Sequence, residues 1–150
     1  KTKLYFMYEI NQKANSGFAY LALLLLTVAV VNVLIGMFSK KEFTPRDRKI
    51  ALFGLIGSHT QLLIGLILYF VSPNGLNMIK SVGMSGLTSE SRLLALEHPM
   101  INILAIILIT IGWSKHKKLL TGESKFKTIL IFYGIGLLLI LSRIPWKLWF

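Results

Sequence analysis

The chain has 150 residues, of which 54% are hydrophobic and 15% charged, with a mean hydropathy of +0.65. A soluble domain carries about 25% charged residues, so this composition argues against an ordinary water-soluble fold and for a single membrane domain over residues 1–150. The absence of cysteine excludes disulfides and thiolate metal sites.

In chain order, residues 1–16 read as a short polar tail with some aromatics at the membrane interface. Four apolar runs follow, over 17–38, 50–71, 93–113 and 126–142, against about 20 residues needed to cross a hydrocarbon core. They predict an all-α, integral membrane four-helix bundle with helices over about 17–38, 48–72, 89–114 and 125–144. The first run is too long for a signal-peptide core and lacks a small-residue cleavage site, so no leader is expected. Pro45 is placed to open the second helix, and Ser72-Pro73-Asn74-Gly75 ends it. Residues 73–88 read as a loop. The third helix starts near Thr88 or Ser89 with Glu90 in its first turn. Pro99 disfavours helical geometry at His98, which predicts a kink. Ile144-Pro145-Trp146 ends the fourth helix, with Trp146 and Trp149 as interfacial anchors.

Charge sets the expected orientation. Lys40, Lys41, Arg46, Arg48 and Lys49 fill the first connection, and Lys115, Lys117, Lys118, Lys125 and Lys127 the third. The second has only Lys80 and Arg92. This alternation is the positive-inside pattern and predicts an N-out/C-out topology, with Lys1, Lys3 and Lys13 running against it. The net charge of +11 is thereby explained by topology, and no nucleic-acid partner is expected.

Small and polar residues pack helices in lipid. The second helix carries Gly54, Gly57, Ser58, Gln61 and Gly65 as one stripe, with His59 at its border. The third carries His98, Asn102, Ala105 and Gly112. The first offers Ala22, Ala29, Asn32 and Gly36, and the fourth Gly136 and Arg143. Ionisable groups in a bilayer are costly and mark function by default. His59 and His98 are therefore the candidate metal or haem ligands. At 1.5 Å rise per residue their depths differ by roughly 8 Å, which tilt and the Pro99 kink would have to close. The alternative is a pair of interhelical hydrogen bonds. Arg143 and Arg92 are candidates for haem propionates, or for snorkelling to headgroups. Glu97 is placed to accept a quinol proton or to pair with Arg143. Asn102 and Gln61 join it as quinone or proton-path candidates. His116, among lysines, reads as a solvated turn residue.

Three runs carry a resemblance: Ser58-His59-Thr60-Gln61-Leu62-Leu63-Ile64-Gly65-Leu66, Leu96-Glu97-His98-Pro99, and Leu141-Ser142-Arg143-Ile144-Pro145-Trp146. Together they resemble small bacterial four-helix membrane proteins labelled cytochrome b, over most of the chain from Asn15 onward. The resemblance implies haem b on His59 and His98, in a multi-pass protein of the bacterial inner membrane. That family pattern has a histidine in a His-Ser-Gly setting where this chain has Asn15-Ser16-Gly17. Three functions are expected from these readings. The first is a haem-b electron-transfer subunit exchanging electrons between quinol and a partner. The second is a cofactor-free accessory subunit of a larger membrane complex. The third is a small proton-path or transport protein using Glu97, His98, His59 and Asn32. No nucleophile–base set or phosphate-binding glycine loop is present, so an enzyme acting alone is not expected.

Overall fold

The computed structural model describes residues 1–149, with side chains through Lys147. It is helical throughout, without strands among the described residues. The elements are α1 (Thr2–Phe38), α2 (Pro45–Val71), α3 (Leu76–Val82), a 3₁₀ turn (Met84–Gly86), α4 (Ser89–Arg92), a π turn (Leu93–Glu97), α5 (His98–His116), α6 (Gly122–Ser142) and α7 (Trp146–Trp149). The segment from α4 to α5 runs as one helix, Ser89–His116. Four helices are long and apolar enough to cross a membrane.

Local chemistry explains the boundaries. Thr44 caps α2 through a reciprocal box with Asp47, and Pro45 opens the helix. Thr88 and Ser91 form the same kind of box at α4, and Thr121 caps α6 through the Ser124 amide. Pro99 has no amide to give the preceding turn, and its ring crowds the carbonyl of Ala95. The helix widens into the π turn directly before His98, which relieves that crowding. His98 itself keeps helical angles, φ −61 and ψ −49, so the expected kink takes the form of one wide turn.

Residues 1–16 are not a tail. They form the first turns of α1, which runs for 37 residues, about 55 Å. No proline interrupts the stretch, and half-buried Tyr8 and Asn15 continue the inward face that is buried from Ala19 onward. Residues 73–88, expected as loop, include α3 and the 3₁₀ turn. Trp146 donates its indole N–H to the Leu141 carbonyl at 3.2 Å. Trp149 lies outside the described side chains.

The four long helices close a ring in which α1 packs on α2 and α6, and α5 packs on α6 and α2. One end carries the basic connections between α1 and α2 and between α5 and α6. The half of the bundle nearer that basic end is densely packed around Leu26, Ala29, Val33, Ile109, Phe126 and Tyr133. Two glycines permit the close approach. A Cβ on Gly36 would run into the Phe126 ring, and one on Gly136 would sit 2.8 Å from Ile109. Tyr133, fully buried, donates its hydroxyl to the Ala51 carbonyl at 2.8 Å. Large apolar side chains such as Leu24, Ile35, Phe53, Leu63, Ile107 and Leu138 cover the outside, as expected of a surface that meets lipid.

Asp47 ties the basic end together. Its side chain is 3% exposed. It accepts from Asn32 of α1 at 2.9 Å, from Lys41 at 2.6 Å, and from the Thr44 amide and hydroxyl at 2.9 Å each. Asp47 lies ahead of the apolar run of α2. Burial works to raise its carboxyl, but the bonds from Lys41, the Thr44 amide, Asn32 and the Thr44 hydroxyl outweigh burial. They hold it at about 2, below the usual 3.8. A depressed native value means that this contribution is complete above the unfolded value and is lost as pH falls through about 2. Asp47→Ala should cost about 2 kcal/mol, since it removes a cap and leaves donors unpaired. Denaturant titration in mixed micelles checks this. The loss should shrink on acidification from about pH 4 towards pH 2, and a constant loss across that window would contradict the assignment.

Candidate functional site

The half of the bundle away from the basic end is built differently. The small stripe of α2 faces α1, where a Cβ on Gly54 would meet Ala29 at 3.3 Å. Ser58 spends its hydroxyl proton on the Gly54 carbonyl at 2.7 Å. One turn on, Gln61 donates its amide to the Asn15 backbone carbonyl at 3.2 Å and side-chain oxygen at 2.8 Å. On α5, His98 Nδ1 meets the Arg143 carbonyl at 2.8 Å, and Asn102 Nδ2 meets His98 Nε2 at 3.1 Å.

The acceptors fix the proton positions. A carbonyl can only accept, so His98 carries its proton on Nδ1 and presents a lone pair on Nε2. Asn102 must then turn its NH₂ toward the ring and its Oδ1 away. Gln61 faces two oxygens, so its NH₂ points at Asn15 and its Oε1 away. Gln61 Oε1 and Asn102 Oδ1 are both buried without a hydrogen-bond partner in the structure. Each such orphan acceptor costs about 1–3 kcal/mol if nothing meets it.

Both residues line one cavity of about 220 Å³ between α1, α2, α5 and α6. Its polar lining includes Tyr8, Gln12, Asn15, Gln61, His98 and Asn102, and its apolar lining Ala19, Leu26, Leu62, Ile106 and Ile140. No Asp, Glu, Lys or Arg lines it. An uncharged wall of low polarity disfavours an ionised guest and accepts a neutral one.

The structure separates the two histidines. His59 is exposed on the outer flank of α2 and bonds Thr110 of α5, with Nε2 to Oγ1 at 2.8 Å. Thr110 passes its own proton to the Ile106 carbonyl, so Nε2 of His59 is the donor. Thr110 lies twelve residues along α5 from His98, about 18 Å at 1.5 Å per residue. Two imidazoles on one iron have nitrogens about 4 Å apart, two metal–nitrogen bonds of about 2 Å. The shared-iron arrangement expected for His59 and His98 is therefore not built. The interhelical hydrogen bond, the alternative reading, is what His59 makes. Among the described residues no three His, Asp or Glu side chains converge as a metal group.

Glu97 takes the pairing with Arg143 and adds Arg92. Arg92 Nε lies 3.3 Å from one carboxylate oxygen and Arg143 Nε 3.7 Å from the other. These groups sit beside the cavity rather than in its lining, so Glu97 parts from its fellow candidates Gln61 and Asn102. Asn32 bonds Asp47 at the basic end and does not join a relay with His98. His116 is not solvated. It is 1% exposed, packed between Phe43 and Trp113 with ring centroids 5.6 and 4.7 Å away, and bonded to the Trp113 carbonyl. Its lysine neighbours, Lys115 and Lys117, point to other rings instead.

Sequence reasoning missed Tyr8, Gln12 and Asn15. The signal was present, because Tyr8, Gln12, Asn15, Ala19, Ala22, Leu26, Ala29, Val33 and Gly36 recur at alternating steps of four and three, one continuous helix face. Asn15 holds Gln61 in place.

The chain matches no protein-family model, no curated protein and no solved structure. Residue roles therefore rest on geometry. His98→Leu would leave the Arg143 carbonyl and the Asn102 amide unpaired and should cost about 2 kcal/mol. His59→Leu removes one interhelical bond and should cost about 0.6 kcal/mol. Unfolding in mixed micelles ranks the two, and equal losses would contradict the geometry. Nitrogen-15 shifts of labelled His98 should give the Nδ1–H tautomer, and a proton on Nε2 would overturn the network.

Proposed function

We propose that this chain is a multi-pass membrane protein whose work is to bind a small neutral molecule within the bundle, in the half away from the basic end. The observation that carries the reading is the uncharged cavity lined by Gln61, His98 and Asn102, in whose wall two amide oxygens, Gln61 Oε1 and Asn102 Oδ1, find no hydrogen-bond partner in the protein. Buried acceptors are normally met by a donor, and here the protein supplies none. The cavity reaches past Tyr69 and Ser72 to Asn74, toward the connection with few basic residues. With the basic loops in the cytoplasm, both termini and this end of the cavity lie outside. The resemblance noted above supports a bacterial inner membrane, and a small chain of this kind is suited to serve as a subunit beside larger membrane partners.

Haem b on His59 and His98 has little support from this geometry. The two rings are far apart, and His98 has both nitrogens engaged. Arg92 and Arg143, the residues held for its propionates, pair with Glu97.

Gentle extraction tests the binding reading. Wild-type protein, His59→Leu as a control outside the cavity, and the Gln61→Leu/Asn102→Leu double variant would be purified in parallel. Organic extracts would be compared by mass spectrometry. The reading predicts a neutral molecule near one per chain in wild type and control, and at least tenfold less in the double variant. Identical extracts from all three would contradict it.

A further inference from the structure

We infer that the basic end of the seam between α2 and α5 binds the phosphate of an anionic phospholipid, held between Arg48 and Lys117; this stands apart from the reading of the cavity. Arg48 belongs to the first turn of α2, and Lys117 follows the last turn of α5. Both are exposed, and both stand over one ring. The Arg48 guanidinium carbon lies 5.7 Å from the Trp113 centroid and the Lys117 ammonium 5.3 Å. Trp113 is 9% exposed, so packing fixes the ring that holds both cations. Lys125 adds a third positive charge 5.5 Å from the centre of Phe43, and His116 links that ring to Trp113. Like charges gathered on one ring repel, and the protein brings no carboxylate to offset them. Among the described residues no Asp or Glu lies within 4.0 Å of Arg48 or Lys117. Asp47, next to Arg48 in sequence, is turned inward onto Asn32, Lys41 and Thr44.

The place of the pair in the fold selects a lipid. Arg48 and His59 are eleven residues apart, about three turns, and Thr110 and Lys117 are seven apart, about two turns. Each pair therefore shares a helix face. His59 bonds Thr110 across the seam, so Arg48 and Lys117 close the basic end of that same seam. Ile50 and Trp113 end the apolar runs of the two helices, which sets the cations at headgroup level. Further along the seam, Ile56 and Ile107 are half exposed, one turn from His59 and Thr110, and offer an apolar flank to acyl chains. A phosphodiester brings one negative charge and free oxygens that a guanidinium fork and an ammonium can share. A zwitterionic lipid carries the same phosphate beside a cation of its own, which the pair repels.

Fluorescence of Trp113 tests the site directly. The full chain, with Trp146→Phe and Trp149→Phe to leave Trp113 as the indole, is reconstituted in phosphatidylcholine vesicles. Phosphatidylglycerol or phosphatidylcholine with brominated chains is then titrated in, and nearby bromine quenches the indole. Phosphatidylglycerol should occupy the site at least about fivefold more strongly, the factor that one cation near an anionic headgroup provides. Arg48→Gln/Lys117→Gln should bring the ratio close to one. Lys49→Gln/Lys118→Gln removes the same charge from the neighbouring positions and should keep the preference. Equal affinities in the parent, or a preference that survives the first double variant, would overturn the inference. An equal loss in both double variants would also overturn it, leaving a diffuse basic surface. If the Arg48/Lys117 variant does not insert, Lys117→Gln alone should at least about halve the preference, and an unchanged ratio there would contradict the site. Inorganic phosphate should displace no more lipid than chloride of equal ionic strength; greater displacement would make free phosphate the guest and overturn the lipid assignment.

Discussion

The Arg143 carbonyl can only accept a hydrogen bond, and the polar half of the bundle is arranged around that constraint. It takes the Nδ1 proton of His98, which leaves Nε2 as an acceptor for Asn102. The Asn102 oxygen then has nowhere within the protein to turn. On the neighbouring helix the same logic runs through Asn15 and Gln61. In an apolar environment such directions are firmly set, because each broken bond leaves a group with no water to replace it. Two short chains of hydrogen bonds thus each end on a partnerless acceptor, in residues that line one cavity.

The two halves of the bundle are packed differently. Toward the basic end, glycines let Phe126, Ile109 and Phe132 press against facing helices, and Asp47 gathers four donors. In the other half the same ring of helices leaves a cavity, and its polar groups are only partly matched. Well-packed cores carry few unexplained orphan groups. Here two such acceptors belong to residues that line one cavity.

Much of the fold was legible because its signals are strong. The apolar runs, the helix starts at Pro45 and next to Thr88, and the small stripes on α2 and α5 all appear where patterning places them. The N-terminal turns were missed because polarity was weighed above periodicity. Lys1, Lys3, Glu9 and Lys13 mask a face that Tyr8, Gln12 and Asn15 continue from the core. His116 was misread for the same reason, since neighbouring lysines say nothing about which way one side chain of a helix points. Of the site, Gln61, Asn102 and His98 were visible as intramembrane polar groups. The separation of His59 from His98 showed in the sequence only as a depth offset of roughly 8 Å, not in its full extent. It depends on which residue of α5 lies beside each ring, and a single sequence carries no such register.

The most direct measurement is a high-resolution density map of the gently extracted protein. The account predicts a neutral guest in the cavity lined by Gln61, His98 and Asn102. A cavity closed by repacking, or amides rotated so that both oxygens are bonded within the protein, would contradict it.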